Sequence, residues 1–163
     1  MTKQATLSGA AGPVGEDAVD PLALEQQVCF ALAVASRGVI GVYRPILERL
    51  SLTHPQYLVM LALWQHAPLR VADLAALLQL EPATLSPLLK RLEAIGYVVR
   101  ERDSSDERAL RITLTPAGSE LREQALAVPG LVMERLSLTL DDVHALHRTL
   151  TEVIGRVSAA PPG

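Results

Sequence analysis

Few side chains in this 163-residue chain have types and spacings that could do chemistry. Cys29 is its one cysteine. Within Gln26-Gln27-Val28-Cys29-Phe30-Ala31-Leu32 it reads two ways: as a small buried hydrophobe on an apolar helix, or as a thiolate that attacks an oxidant. Thr84 and Ser86 fall in the first turn and a half of a helix opened by Pro82, where side chains reach base edges or phosphates. Lys90 and Arg91 follow one to two turns later and suit backbone contacts, which add affinity without sequence information. The alternative for all four is an ordinary solvated helix face. Arg108 stands just past the polar turn Asp103-Ser104-Ser105-Asp106-Glu107 and suits insertion into a narrow, A·T-rich minor groove. Asp106, two residues earlier, would orient its guanidinium through charge-assisted hydrogen bonds, unless the two form a plain surface ion pair. His144 and His147 lie three apart on one helix, but with no nearby cysteine or clear third ligand they make no metal site.

These residues need elements to position them. Val71–Leu78 reads as a short apolar helix and Gln79-Leu80-Glu81 as a tight turn. Pro82 opens a second helix at the position where its missing N–H costs nothing. That helix, 82–95, carries Leu85, Leu88, Leu89 and Leu92 on one face, and Gly96 ends it with a residue that tolerates a left-handed cap. Two β-rich runs follow, Tyr97–Arg102 and Arg108–Leu114. A helix pair followed by a charged hairpin is a DNA-reading layout, a winged helix-turn-helix. The expected fold is mostly α with a small β-wing, flanked by N- and C-terminal helices that form a dimerisation region.

The flanks support that arrangement. Residues 1–20 hold Gly9, Gly12, Pro13 and Gly15 without apolar periodicity, and we expect a disordered extension there. From Pro21 the pattern is helical, with Leu24, Val28, Leu32, Ala35, Val39 and Val42, and Arg44-Pro45 should interrupt or restart it. Pro55 suits the first turn of a helix over 56–66, closed by Pro68. Thr115-Pro116 makes a good helix start, running to about Val128, where Pro129-Gly130 should kink or break it. Thr139-Leu140-Asp141-Asp142 resembles a capping box, and behind it Val143, Leu146, Leu150, Val153 and Val157 form a coiled-coil seam that wants a partner helix. The alternative is packing against the chain's own first helix. The organisation expected is thus 21–55 for dimerisation and sensing helices, 56–115 for the winged module, 116–158 for C-terminal dimerisation helices and 159–163 for a disordered tail.

Bulk properties are compatible and not diagnostic. The net charge is −3, with six basic and five acidic residues between 90 and 111, so charge alone would not identify a DNA binder. No apolar stretch reaches the ~18 residues that span a bilayer, and the start of the chain lacks a signal-peptide pattern. A single cysteine excludes an internal disulfide and suits a reducing cytoplasm. We expect no cofactor, and no enzyme: a peroxidase would use a similar cysteine, but no resolving or recycling site accompanies it.

Together, Leu80-Glu81-Pro82-Ala83-Thr84-Leu85-Ser86-Pro87-Leu88-Leu89-Lys90-Arg91-Leu92-Glu93, Asp106-Glu107-Arg108 and Leu114-Thr115-Pro116-Ala117-Gly118 resemble the MarR family of bacterial regulators over roughly residues 22 to 136. Cys29, with Tyr43-Arg44-Pro45 and Leu52-Thr53-His54-Pro55-Gln56-Tyr57-Leu58, is similar to the organic hydroperoxide resistance branch of that family. The resemblance implies a homodimeric repressor on a pseudo-palindromic double-stranded DNA operator, released when organic hydroperoxide oxidises Cys29. It also implies that Tyr43 matches one of two tyrosines that the partner subunit brings to the sulfur. Fourteen residues separate Cys29 from Tyr43, about 21 Å along a continuous helix, so they meet only if the chain folds back or a second copy supplies the tyrosine.

The chain departs from the branch in three ways. His54 stands where the second tyrosine is usual, and Ala33 where another is frequent. A histidine still donates to sulfur, and in its protonated form would favour thiolate more than a phenol does. The absence of a second cysteine resembles the one-cysteine subtype, in which a low-molecular-weight thiol caps the oxidised residue or it over-oxidises. The rival expectation is a repressor of the same fold gated by a phenolic or other small organic ligand, with Cys29 structural.

Overall fold

The computed structural model describes residues 20–103 and 109–160. Asp106 and Arg108 lie outside them with Ser104, Ser105 and Glu107, as do residues 1–19 and 161–163. The chain divides into two units between Arg37 and Gly38.

In the first unit, a 3-10 turn at Leu24–Gln26 precedes α1 (Val28–Leu47), so the helical pattern expected from Pro21 onward begins as a single tight turn. Every residue from Val28 to Arg37 is exposed, including Val28, Phe30, Leu32 and Val34. By length and composition the stretch Val28–Leu50 is apolar enough to cross a membrane, with a mean hydropathy of 1.3. The run is not continuous, because Arg37 and Arg44 stand inside it.

The second unit carries the rest of α1. Pro45 does not interrupt the helix as expected: it sits in the last turn, where one backbone hydrogen bond is forfeited and the helix ends two residues later. Ile46 and Leu47 are buried there, and their packing holds the turn together. A 3-10 turn, Glu48–Leu50, leads to Ser51 in the left-handed region.

Next comes α2 (His54–His66), with Pro55 in its first turn. Gln56 Oε1 accepts from the Thr53 N–H at 2.8 Å and from its hydroxyl at 2.9 Å, closing the start of the helix. The two-residue strand β1 (Leu69–Arg70) is followed by α3 (Val71–Leu78), the turn at Gln79, and α4 (Pro82–Ile95). Gly96, at φ 91°, caps α4. β2 (Val98–Arg102) and β3 (Leu110–Leu114) form the wing, each a little shorter than the sequence pattern suggested. The sheet order is β1-β3-β2, all antiparallel, with Leu69 opposite Ile112 and Arg100 opposite Ile112 on the other side.

Thr115 caps α5 (Pro116–Ala125) by accepting from the Gly118 N–H at 3.0 Å. The break expected at Pro129-Gly130 falls earlier, at Leu126-Ala127, and Pro129 lies in the first turn of α6 (Val128–Leu136). Proline terminates less often than it initiates, since the first turn needs no N–H from it. α7 (Leu140–Ala159) opens on the Thr139–Asp142 capping box. Its seam has no buried residue: Leu146 is half exposed and Val157 is 70% exposed. The core gathers Leu47, Val59, Met60, Leu63, Leu74, Leu85, Leu89, Leu92, Val98 and Ile112, one apolar face from each helix of the winged module and one from its sheet.

Candidate functional site

α4 presents two faces. Leu85, Leu89 and Leu92 are buried, which leaves Thr84, Ser86, Lys90 and Arg91 on the exposed side, all four in solvent. Two hydroxyls near the helix start and two cations further along therefore share the solvent-facing side of α4.

The wing is anchored to this helix pair by contacts that spacing alone did not show. Glu93 of α4 takes Arg100 of β2, with Arg100 Nε donating at 2.7 Å and Nη2 at 2.5 Å from the carboxylate. The hydrogen bond from Arg100 is the main cause holding the Glu93 carboxyl below its usual pKa. Asp103, read from the sequence as part of a polar turn, is buried and accepts from Arg70 Nε at 2.7 Å. Arg70 is the N-cap of α3, so this pair ties the end of β2 to the start of the helix pair.

A motif after the wing has a steric cause. A Cβ built on Gly118 would lie 2.0 Å from the Tyr97 carbonyl oxygen, so only glycine fits this approach of α5 to the wing. Around it Thr115 Oγ1 donates to the Gly96 carbonyl at 2.6 Å, and Trp64 Nε1 donates to the Gly118 carbonyl at 2.8 Å.

The second constellation lies in the second unit. Tyr43 of α1 and His54 of α2 meet edge to face, with ring centroids 5.2 Å apart. Tyr57 stands 6.0 Å from Tyr43 and Trp64 stands 6.4 Å from Tyr57. The structure thus brings together two residues chosen by resemblance and adds Tyr57 and Trp64, to which the sequence reading gave no role. Their spacing over α2, 54–57–64, puts them on one side of the helix. Burial raises the pKa of Tyr43, so its phenol keeps its proton. Burial also lowers that of His54, so at neutral pH the ring is uncharged, with one donor and one acceptor nitrogen. The cationic His54 considered from sequence is therefore disfavoured.

A recess of about 290 Å³ opens beside His54, lined by Ile40, Arg44, Glu48, Leu52, Thr53 and Pro55. A second, of about 330 Å³, is lined by residues that include Tyr57, Leu61, Trp64 and Arg122. Cys29 belongs to the first unit and is exposed in the single chain. Among the described residues no group of three or more His, Cys, Asp or Glu is arranged for a metal ion.

Comparison with known proteins agrees with this geometry. Residues 52–110 match the MarR family model. The organic hydroperoxide resistance transcriptional regulator of Bacillus subtilis is 38% identical over 135 residues, 83% of this chain and 92% of that protein. The regulator MgrA of Staphylococcus aureus is 36% identical, over 80% of this chain and 90% of its own. Among solved structures, reduced AbfR bound to DNA is 35% identical, covering 82% of this chain and 94% of its own at a TM-score of 0.67; AbfR has been crystallised from Staphylococcus epidermidis. The winged module, its exposed helix face and these relatives together make this chain a DNA-binding transcriptional regulator of the MarR family.

Proposed function

We propose that the protein is a homodimeric repressor, acting in the cytoplasm on a pseudo-palindromic DNA operator and released when organic hydroperoxide oxidises Cys29. The observation that carries this reading is the exposed thiol of a single-cysteine chain similar to a hydroperoxide regulator. Thr84 and Ser86 read bases, Lys90 and Arg91 hold phosphates, and Arg108, oriented by Asp106, enters the minor groove. Two copies would set two such helices into successive major grooves. The apolar, exposed faces of α1 and α7 supply the surface such a dimer must cover.

In the proposed sensor, Cys29 of one subunit meets Tyr43 and His54 of the other. The two rings act as hydrogen-bond donors to sulfur, which favours the thiolate. The thiolate attacks a peroxide oxygen, the O–O bond breaks, and the leaving alkoxide is protonated to the alcohol, leaving a sulfenic acid. A low-molecular-weight thiol then condenses with it, forming an S–S bond and releasing water. AbfR has been solved overoxidised and bound to DNA, and separately in a disulfide-formed state; for this chain, release is assigned to a disulfide. With no second cysteine in the chain to resolve Cys29, the small thiol is the proposed partner in that disulfide, as in the one-cysteine subtype that the chain resembles. Mass spectrometry of Cys29 after hydroperoxide and thiol treatment should show the mixed disulfide; an unmodified thiol would remove the redox reading. Sedimentation should give twice the mass of one chain.

A second reading has one observation in its favour. The recess lined by Tyr57, Trp64 and Arg122 is of a size that small-molecule sites have, so a phenolic or other organic ligand could gate the same fold. It would leave Cys29 without a role, and a Cys29→Ser variant would respond to the ligand as the wild type does.

A further inference from the structure

We propose that Glu93 is a positioning residue for DNA binding: its carboxylate clasps Arg100 and so fixes the wing strand β2 against α4. This rests on the reading of α4 and the wing as the DNA-facing elements. Glu93 Oε2 accepts from the Arg100 guanidinium at 2.7 Å, while Oε1 faces the backbone N–H of the same residue at 3.4 Å. One carboxylate thus grips both a side chain and the strand that carries it. A contact to the guanidinium alone would leave β2 free to slide beneath a flexible arginine. The added backbone contact sets the height and rotation of the strand as well.

The place of the clasp matters. Tyr97 N–H bonds to the Leu92 carbonyl at 3.0 Å, so helix and strand are joined at the turn, and Glu93–Arg100 is the next attachment outward. The Arg70–Asp103 pair holds the far end of the strand to the start of α3. Lys90 and Arg91 are exposed on the same helix one turn or less before Glu93. A helix and a wing that must meet one duplex together bind tightly only if their spacing is set beforehand.

The sign of the effect separates this role from simple electrostatics. A carboxylate near phosphates repels them, so on charge alone its removal should strengthen DNA binding. The clasp requires the reverse. The test uses the full-length chain and a labelled duplex that the wild type selects from a random pool. Glu93→Gln should bind that duplex about tenfold more weakly, as expected for coupled residues. Its salt dependence should be unchanged, because no phosphate contact is lost. Arg100→Gln should lose a similar amount, and the double variant little more than either single one. Glu93→Gln binding as tightly as the wild type, or more tightly, overturns the proposal. A one-unit fall in salt slope for Arg100→Gln, with additive losses, also overturns it by making Arg100 a phosphate contact. Should Glu93→Gln not fold, Arg100→Lys, which keeps the charge and the backbone N–H but not the paired Nε and Nη2 contacts to the carboxylate, decides in the same way. If the wild type selects no duplex at all, it is the underlying DNA-facing reading that fails.

Discussion

The rings of Tyr43 and His54 meet edge to face 5.2 Å apart, one from the last turns of α1 and the other from the first turn of α2. Ten residues of chain lie between them, including a 3-10 turn and a left-handed serine. The tight reversal is what makes the contact. It leaves a protonated phenol and a neutral imidazole side by side at neutral pH, a pair of donors with no net charge.

The lowered pKa of His54 gives a prediction with a fixed sign. Above the ordinary histidine value of about 6.5, folded and unfolded chains are both neutral at this position, and burial has no pH-dependent effect. As pH falls below that value the unfolded chain takes up the proton first, so stability is lost until the folded group also titrates. Thermal melts of the wild type should drop between pH 7 and 5 by more than those of His54→Gln. Parallel curves would refute it.

Gly118 should be among the least replaceable residues of the chain. An alanine there would set its Cβ into the Tyr97 carbonyl, and α5 would have to move away from the wing. We expect Gly118→Ala to destabilise by about 2–3 kcal/mol, or a fall in Tm of roughly 5–10 °C for a chain of this size. Gly130 of α6 has nothing within 4 Å of such a Cβ, and Gly130→Ala should leave Tm unchanged or slightly raised. Equal melting of the two variants would contradict the steric account.

Much of this molecule was legible in its punctuation. Pro82, Gly96, Thr115-Pro116 and the Thr139 capping box mark helix ends by local chemistry, and α3, its turn and α4 lie where those signals place them. Pro45 and Pro129 misled, because a proline in a last or first turn forfeits little and tertiary packing decides. β1 has two residues and no periodicity to read. The Arg70–Asp103 pair spans 33 positions and the Trp64–Gly118 bond spans 54; such partners are chosen by the fold and leave no local pattern. Tyr43 and His54 were found by resemblance, while Tyr57 and Trp64 required the helix face to be seen.

Lys90 offers a quantitative check on the DNA face. If it meets a phosphate, Lys90→Ala should weaken binding to all duplexes alike and flatten the slope of log K against log salt by about one unit. Thr84→Ala should instead change the preference among sequences while keeping the slope. Identical slopes for Lys90→Ala and wild type would place Lys90 away from DNA.

The measurement closest to the central claim is DNA-binding anisotropy of wild type and Cys29→Ser, titrated with cumene hydroperoxide and with hydrogen peroxide in the presence of a small thiol. The wild type should leave its duplex on addition of cumene hydroperoxide, and Cys29→Ser should stay bound at every dose. Release of Cys29→Ser at the same dose as the wild type would contradict the account.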